Sequence, residues 1–275
     1  MLAKGHFKGY RIEALPVKNV TVTGCTFENV PRGIGSHTAI CNAPFSNITI
    51  KNCTFKDKKS CPIEGCYWKN VTITGNKVSG SPRGITMFSV NCVGGLISRT
   101  SYGTFPASYF DKLGGVKSGI SNSYKNPGNM NIKITNNIIT LNNTKDPYAG
   151  YERIGILVYG TRVKSTKKYY DGSGKIPKGK YYMNGITISG NTITTGGHGI
   201  RLVATKNCTI KNNEIHKTKN AKKTRGTRYG IHVTHNSTKD KVIGNTIYKG
   251  FQKSIAATLG SKLSTKSGNK IKKSQ

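Results

Sequence analysis

Carboxylates are what this sequence has least of: 10 Asp plus Glu stand against 44 Lys plus Arg, a formal net charge of +34 over 275 residues. Two-carboxylate glycoside hydrolysis needs a pair of acids held roughly 5 to 9.5 Å apart. The available acids are Glu13, Glu28, Asp57, Glu64, Asp111, Asp146, Glu152, Asp171, Glu214 and Asp240, with no DD or DxD pair among them. An acidic cluster of the kind that binds calcium is also missing, so hydrolase and metal-assisted chemistry are poorly supplied. No run of about 18 apolar residues occurs, which excludes a membrane-spanning helix. Residues 1–11 carry Lys4, Lys8 and Arg11 but no apolar core or small-residue cleavage site, unlike a secretory signal. Removal of an upstream part and a genuine start are both open readings of this abrupt beginning. The seven cysteines, Cys25, Cys41, Cys53, Cys61, Cys66, Cys92 and Cys208, are odd in number and match no zinc spacing. Tight Asn-Gly and Asp-Gly turns are scarce, which argues against the antiparallel hairpins of a propeller or sandwich.

What the sequence has is a returning phrase. NVTVTGCTF begins at Asn19, NITIKNCTF at Asn47, NVTITGNKV at Asn70, NIKITNNII at Asn131, GITISGNTI at Gly185, NCTIKNNEI at Asn207 and DKVIGNTI at Asp240. A last fragment, SGNKI, begins at Ser267. Each alternates β-branched and polar residues, reaches a turn residue and resumes with an apolar one, the pattern of a strand with one buried face. A shorter phrase follows many of them: RGIGSH from Arg32, RGITMF from Arg83, IGILVY from Ile154, HGIRLV from His198 and YGIHVT from Tyr229. Two or three short strands per repeat of about 22 to 32 residues, with no helix between, fit a coil that stacks on its neighbour through parallel ladders. The turn position, held by Cys25, Cys53, Asn76, Asn137, Asn191, Asn213, Asn245 and Asn269, is expected to form an internal amide ladder between coils.

These repeats resemble those of the pectate-lyase-like superfamily, over most of residues 17–273, in proteins of the bacterial surface or secreted type. The resemblance implies an all-β, right-handed parallel β-helix, a single-stranded solenoid. It is specific for architecture, because lyases, hydrolases, epimerases, tailspikes and adhesins share such repeats. One domain over 1–275 is expected, with lateral insertions near 89–130, 160–183 and 217–228 and an irregular end from 260.

Counting along the second phrase divides inward from outward positions. Ile34, Ile85, Ile156, Ile200 and Ile231 point inward, as do Ser36, Met87, Val158, Leu202 and Val233. Gly35, Thr86, Leu157, Arg201 and His232 form one solvent-facing column; His37, Phe88, Tyr159, Val203 and Thr234 form the next. Arg32, Arg83, Ile154, His198 and Tyr229 precede the glycines. Coils about 4.8 Å apart then set cationic, imidazole and aromatic groups within reach of one extended ligand.

The charge points to a polyanion. No recognition helix, zinc finger or RNP-type strand is present, so specific nucleic-acid binding is not expected. The expected function is binding and β-eliminative cleavage of an anionic, uronate-containing polysaccharide. Such a lyase, or a related epimerase, needs a base for the proton beside the carboxylate and a cation to steady the enolate. His198, Arg201, His232 and Tyr229 are the catalytic candidates, with His198 as the base. Arg32, His37, Arg83, Phe88, Tyr159 and Arg228 are the substrate-binding candidates. No metal or other cofactor is expected, and no apolar outer seam for a trimer is traceable, so a monomer at the cell surface or outside the cell is the expectation. The alternative is a noncatalytic surface or adhesin module that binds an anionic glycan.

Overall fold

The computed structural model describes residues 17–30, 32–35, 45–56, 61–88, 128–141, 153–163, 167–168, 175–176, 179–218 and 228–273. Three parallel sheets run the length of a β-helix. Sheet A stacks Lys18–Thr23, Phe45–Lys51, Trp68–Thr74, Ile132–Thr135, Ile186–Ser189, Thr209–Lys211, Asp240–Ile243 and Leu263–Ser267. Sheet B stacks Thr26–Glu28, Thr54–Lys56, Lys77–Ser79, Ile138–Thr140, Thr192–Thr195, Glu214–Lys217, Thr246–Tyr248 and Lys270–Lys272. Sheet C stacks Ile34–Gly35, Ile63–Cys66, Arg83–Phe88, Ile154–Tyr159, His198–Val203, Tyr229–Thr234 and Lys253–Ala257. Two short antiparallel pairs, Thr161–Val163 with Gly179–Tyr181 and Lys167–Lys168 with Lys175–Ile176, lie outside these sheets.

The alternation read from the sequence is the core. Ile50, Ile73, Ile134, Ile188, Ile210 and Val242 form one buried inward row of sheet A. Phe55, Val78, Ile139, Ile193, Ile215 and Ile247 do the same in sheet B. Ile63, Ile85, Ile156, Ile200 and Ile231 do so in sheet C. Each such side chain contributes about 1.5–3 kcal/mol by leaving water. Like meets like between coils, down to the parallel stack of Phe27 on Phe55, with ring centroids 5.0 Å apart.

The turn from sheet A to sheet B explains the asparagines. Asn76, Asn137, Asn191, Asn213 and Asn245 are buried, and the amide of each donates to the side-chain oxygen of the next at 2.9 Å, ending on Asn269. That oxygen also accepts the preceding residue's backbone N–H at 3.0 Å. The turn has no other way to satisfy these groups inside the solenoid. The residue just before each ladder position is left-handed; Gly24, Asn52, Gly75, Asn136, Gly190, Asn212 and Gly244 alternate there, and Gly268 ends the series. The alternation has a steric cause: a Cβ on Gly190 would lie 2.3 Å from Asn136 Oδ1, and one on Gly75 2.4 Å from Asn52 Oδ1. A second, exposed ladder of left-handed asparagines joins Asn19, Asn47, Asn70 and Asn131 at the start of sheet A.

Two expectations change. Residues 61–66 supply a rung of sheet C that the short phrase does not reveal, because Pro62 stands where the phrase has its Gly. The column is therefore Gly35, Glu64, Thr86, Leu157, Arg201, His232 and Ala256. The outward positions also do not simply face solvent: Thr86, Val203, His232 and Thr234 are buried. Period-two alternation marks which side of a strand a residue takes, and it carries no information on whether that side is covered. His37 and Ser36 lie outside the described residues.

Candidate functional site

The sheet C strands from His198 and Tyr229 bring the catalytic candidates together. His198 and Arg201 flank the inward Ile200 on one strand, and Arg201 sits in register with His232 on the next. A glycine follows both His198 and Tyr229 because the corner is tight: a Cβ on Gly199 would meet Ile215 Cγ2 and Gly230 O, each at 2.5 Å. Its consequence is a ring stack across two coils. Tyr229 and His232 have centroids 4.1 Å apart, His198 and Tyr229 5.5 Å, and His198 and His232 5.6 Å, with interplanar angles of 30°, 14° and 22°.

The hydrogen bonds fix the two imidazoles differently. The Tyr229 backbone N–H donates to His198 Nδ1 at 3.2 Å. In the neutral ring the proton then belongs on Nε2, so His198 presents a donor. His232 Nε2 lies 2.8 Å from Thr258 Oγ1, whose hydroxyl donates to Thr234 Oγ1 at 3.0 Å. Thr234 Oγ1 in turn lies 3.1 Å from His235 Nδ1, and His235 is exposed. A consistent direction runs outward, from His232 N–H through the two hydroxyls to the lone pair of His235. His198 is 2% exposed and His232 7%.

The other candidates are spread along the sheet. Phe88 and Tyr159 meet edge to face at 6.0 Å, with Tyr159 42% exposed. Arg83 stands two coils from His198 in the column that runs through Ile154. Arg32 is four coils from His198, about 19 Å along the axis. Its Nε pairs at 3.2 Å with the buried carboxylate of Glu64. Arg228 directly precedes the Tyr229 strand, and its backbone N–H donates to Gln252 Oε1. His37 is outside the described residues.

Several functional groups carry no sequence signal that reasoning could have used. Thr258 is an ordinary threonine until its coil stacks on Thr234. Glu214 receives the Tyr248 hydroxyl at 2.9 Å and His216 Nε2 at 3.1 Å on sheet B, beneath a His216–Tyr248 stack at 4.1 Å. That hydrogen bond, and then burial, push the Tyr248 phenol up. The thiols are poor nucleophiles where they are buried. Burial, then Glu64, raises Cys61 to about 12, and burial also raises Cys66 and Cys208. Among the described residues no group of three His, Cys, Asp or Glu is placed to hold a metal ion.

Among solved structures, the chain is similar to the tailspike protein of E. coli bacteriophage HK620 in complex with pentasaccharide, at 14% identity and a TM-score of 0.51. The match covers 92% of this chain and 43% of the tailspike chain. A double mutant of the same tailspike gives the same figures. The chain thus spans less than half the length of these structures. No curated protein matches it. The family model for a right handed beta helix region matches residues 10–175 and again 127–271. With its three parallel sheets and this match along nearly its whole length, the chain belongs to the right-handed beta helix family.

Proposed function

We propose that the protein binds an anionic, uronate-containing polysaccharide along sheet C and cleaves it by β-elimination at the His198–Tyr229–His232 stack. The observation that carries the reading is the convergence of two imidazoles, a phenol and Arg201 within adjacent coils. A net charge of +34 favours a polyanion over long range. The fold is shared with a tailspike described in complex with a pentasaccharide.

In the reaction, a base removes the proton beside the sugar carboxylate, the electron pair forms a carbon–carbon double bond, and the glycosidic oxygen leaves and takes a proton. Arg201 steadies the negative charge that builds on the carboxylate. His198 is the base favoured from the sequence; the hydrogen bonds favour His232 instead, acting through Nδ1, which is buried and has to be uncovered for the sugar to reach it. A proton taken up by the His232 ring has an outlet at Nε2 through Thr258 and Thr234 to exposed His235. His198, with Nδ1 already accepting from Tyr229, is the hydrogen-bond donor. The Tyr229 phenol protonates the leaving oxygen. Phe88 and Tyr159 give a sugar-stacking surface further along the sheet, while Arg83, Arg228, His37 and Arg32 provide cations. We further propose one β-helix domain of the pectate-lyase-like superfamily over 1–275, with lateral insertions near 89–130, 160–183 and 217–228, most of whose residues lie outside those described; the expected irregular end from 260 is corrected, because Leu263–Ser267 and Lys270–Lys272 add a further rung to sheets A and B. It acts as a monomer, secreted or at the cell surface.

Incubating the full chain with alginate, pectate and glycosaminoglycans tests this by the ultraviolet absorbance of the unsaturated product. Absorbance should rise with one of them, and His232→Ala should slow it by about 100-fold or more with the circular dichroism unchanged. No product from any of the three, and no epimerised sugar by NMR, removes the catalytic reading. The noncatalytic surface module then stands, and one observation already favours it: both imidazoles are nearly buried, as suits a packed structural stack.

A further inference from the structure

The inner asparagine ladder begins at Asn76 in the third described coil, and the two coils before it carry cysteine in its place. Cys53 donates its backbone N–H to Asn76 Oδ1 at 2.9 Å, as the asparagines do to one another, but it has no side-chain oxygen to offer the coil before. Cys25 occupies the same turn in that earlier coil. The register brackets the pair on both sides, with Thr23 opposite Lys51 and Thr26 opposite Thr54. Left-handed Gly24 and Asn52 precede the two cysteines, whose carbonyls accept from Thr54 and Lys77, each at 2.9 Å. Two thiols therefore stack where the rest of the turn stacks amides.

Both sulfurs take the same posture. Cys25 Sγ lies 3.4 Å from Thr23 O and Cys53 Sγ 3.3 Å from Lys51 O, in each case the carbonyl two residues back. Cys53 Sγ also leans toward the first coil, 3.7 Å from Val22 O. Equivalent atoms of adjacent parallel coils are about 4.8 Å apart. Disulfides join Cα atoms roughly 4.4 to 6.8 Å apart and Cβ atoms roughly 3.5 to 4.5 Å apart. The Cα spacing already suits a bond, and the Cβ atoms have only a short distance to close. The first rung can supply that movement, because Lys18–Thr23 and Thr26–Glu28 end their sheets and pair on one side only among the described strands.

The two thiols differ in access. Cys25 is exposed, whereas Cys53 is 1% exposed. Oxidation from solvent therefore begins at Cys25. The other described thiols, Cys61, Cys66 and Cys208, are all buried, and Cys61 is held against Ile63 O, Gly84 O and Thr86 Oγ1 of sheet C. Cys41 and Cys92 lie outside the described residues. The first rung is also the one with most to gain from a covalent tie. Its inward Val20, Val22 and Phe27 are only partly buried against the core, Phe27 by stacking on Phe55.

We propose that Cys25 and Cys53 are a redox pair whose disulfide staples the first rung of the β-helix to the second. A small-molecule disulfide is the oxidant. The Cys25 thiolate attacks one of its sulfurs, forms a mixed disulfide and releases one thiol. Cys53 then gives up its proton and attacks Cys25 Sγ, which forms the protein disulfide and releases the second thiol. Two protein thiols are oxidised and one disulfide is reduced to two thiols. An added dithiol reverses the exchange. The bond closes the chain between residues 25 and 53, so the first rung can no longer leave the second when it opens. The staple is independent of any glycan bound on sheet C.

The test takes the full chain, reduces it with a dithiol and then incubates it with oxidised glutathione. Remaining thiols are alkylated and the peptides mapped by mass spectrometry. Backbone amide exchange with deuterium is followed on the reduced and oxidised forms. The expected product carries a Cys25–Cys53 link, and exchange across residues 18–28 slows by about tenfold or more. Cys25→Ser changes an exposed side chain, so it should fold like the parent protein by circular dichroism and lose both the link and the protection. A mixed disulfide that stays on Cys25, a link from Cys25 to any other cysteine, or no reaction at all overturns the pair. A Cys25–Cys53 link that leaves exchange in the first rung unchanged, or equal slowing in Cys25→Ser, overturns the staple.

Discussion

Asn191→Ala is expected to lower the unfolding free energy by about 4 kcal/mol, among the largest effects of any single polar substitution in the chain. Asn191 is fully buried, and its amide donates to Asn213 Oδ1 and Ile134 O at 2.9 Å. Its oxygen accepts the Asn137 backbone N–H at 3.0 Å and the Asn137 amide at 2.9 Å. Alanine removes these four bonds in a dry interior; Asn213 Oδ1 keeps the residue 191 backbone N–H and the Asn137 amide keeps Ile73 O, while the Asn137 backbone N–H loses its partner. Each such group costs about 1–3 kcal/mol, and relaxation recovers only part of it. Urea denaturation should show a lower midpoint. Asn70→Gly, in the exposed ladder, keeps the left-handed backbone and should cost a small fraction of that, because water replaces its amide partners. Equal losses at the two positions would contradict the idea that burial makes the inner ladder's hydrogen bonds the stronger ones.

The second large effect depends on pH. Asp240 is fully buried and holds its carboxylate between the Thr205 hydroxyl, at 2.5 Å, and the Cys208 backbone N–H, at 2.8 Å. Burial outweighs both hydrogen bonds and raises its pKa to about 6. The folded state therefore binds the proton more tightly than the unfolded chain. Its contribution to stability is greatest below the unfolded carboxylate range and is lost as pH rises through about 6. With a shift of about two units, the loss comes to about 3 kcal/mol. Asp240→Asn keeps an oxygen for the Cys208 N–H and has no charge to bury. Relative to the parent protein it should gain about 3 kcal/mol between pH 4 and pH 7, by denaturant unfolding at matched ionic strength. Parallel stability curves over that range would show that the carboxylate is ionised throughout, and that the field of the surrounding lysines offsets its burial.

The fold was legible because its rules are local. Period-two alternation gave the inward rows, such as Ile85, Ile156, Ile200 and Ile231, and the turn asparagines marked the buried ladder. The register of Leu157, Arg201 and His232 followed by counting alone. The count missed one rung, because Pro62 disguises a strand that pairs as well as its neighbours. The site was legible only as a neighbourhood. Which nitrogen of His198 is occupied depends on the Tyr229 backbone one coil later, and the route from His232 to His235 depends on Thr258 in the coil beyond. Coverage of a strand's outer side is likewise set by what folds over it, so Thr86 and Thr234 read as surface and are buried.

The histidines provide the most direct measurement of whether sheet C is the working face. His198 and His232 lie in the ring stack of sheet C, while His216 lies on sheet B against Tyr248. Ring signals of selectively labelled histidine, followed by NMR while the full chain is titrated with a uronate oligosaccharide, report on both faces at once. Saturable shifts of His198 and His232 with His216 unmoved are the predicted result. Shifts confined to His216, or none on either sheet at saturating ligand, would contradict it.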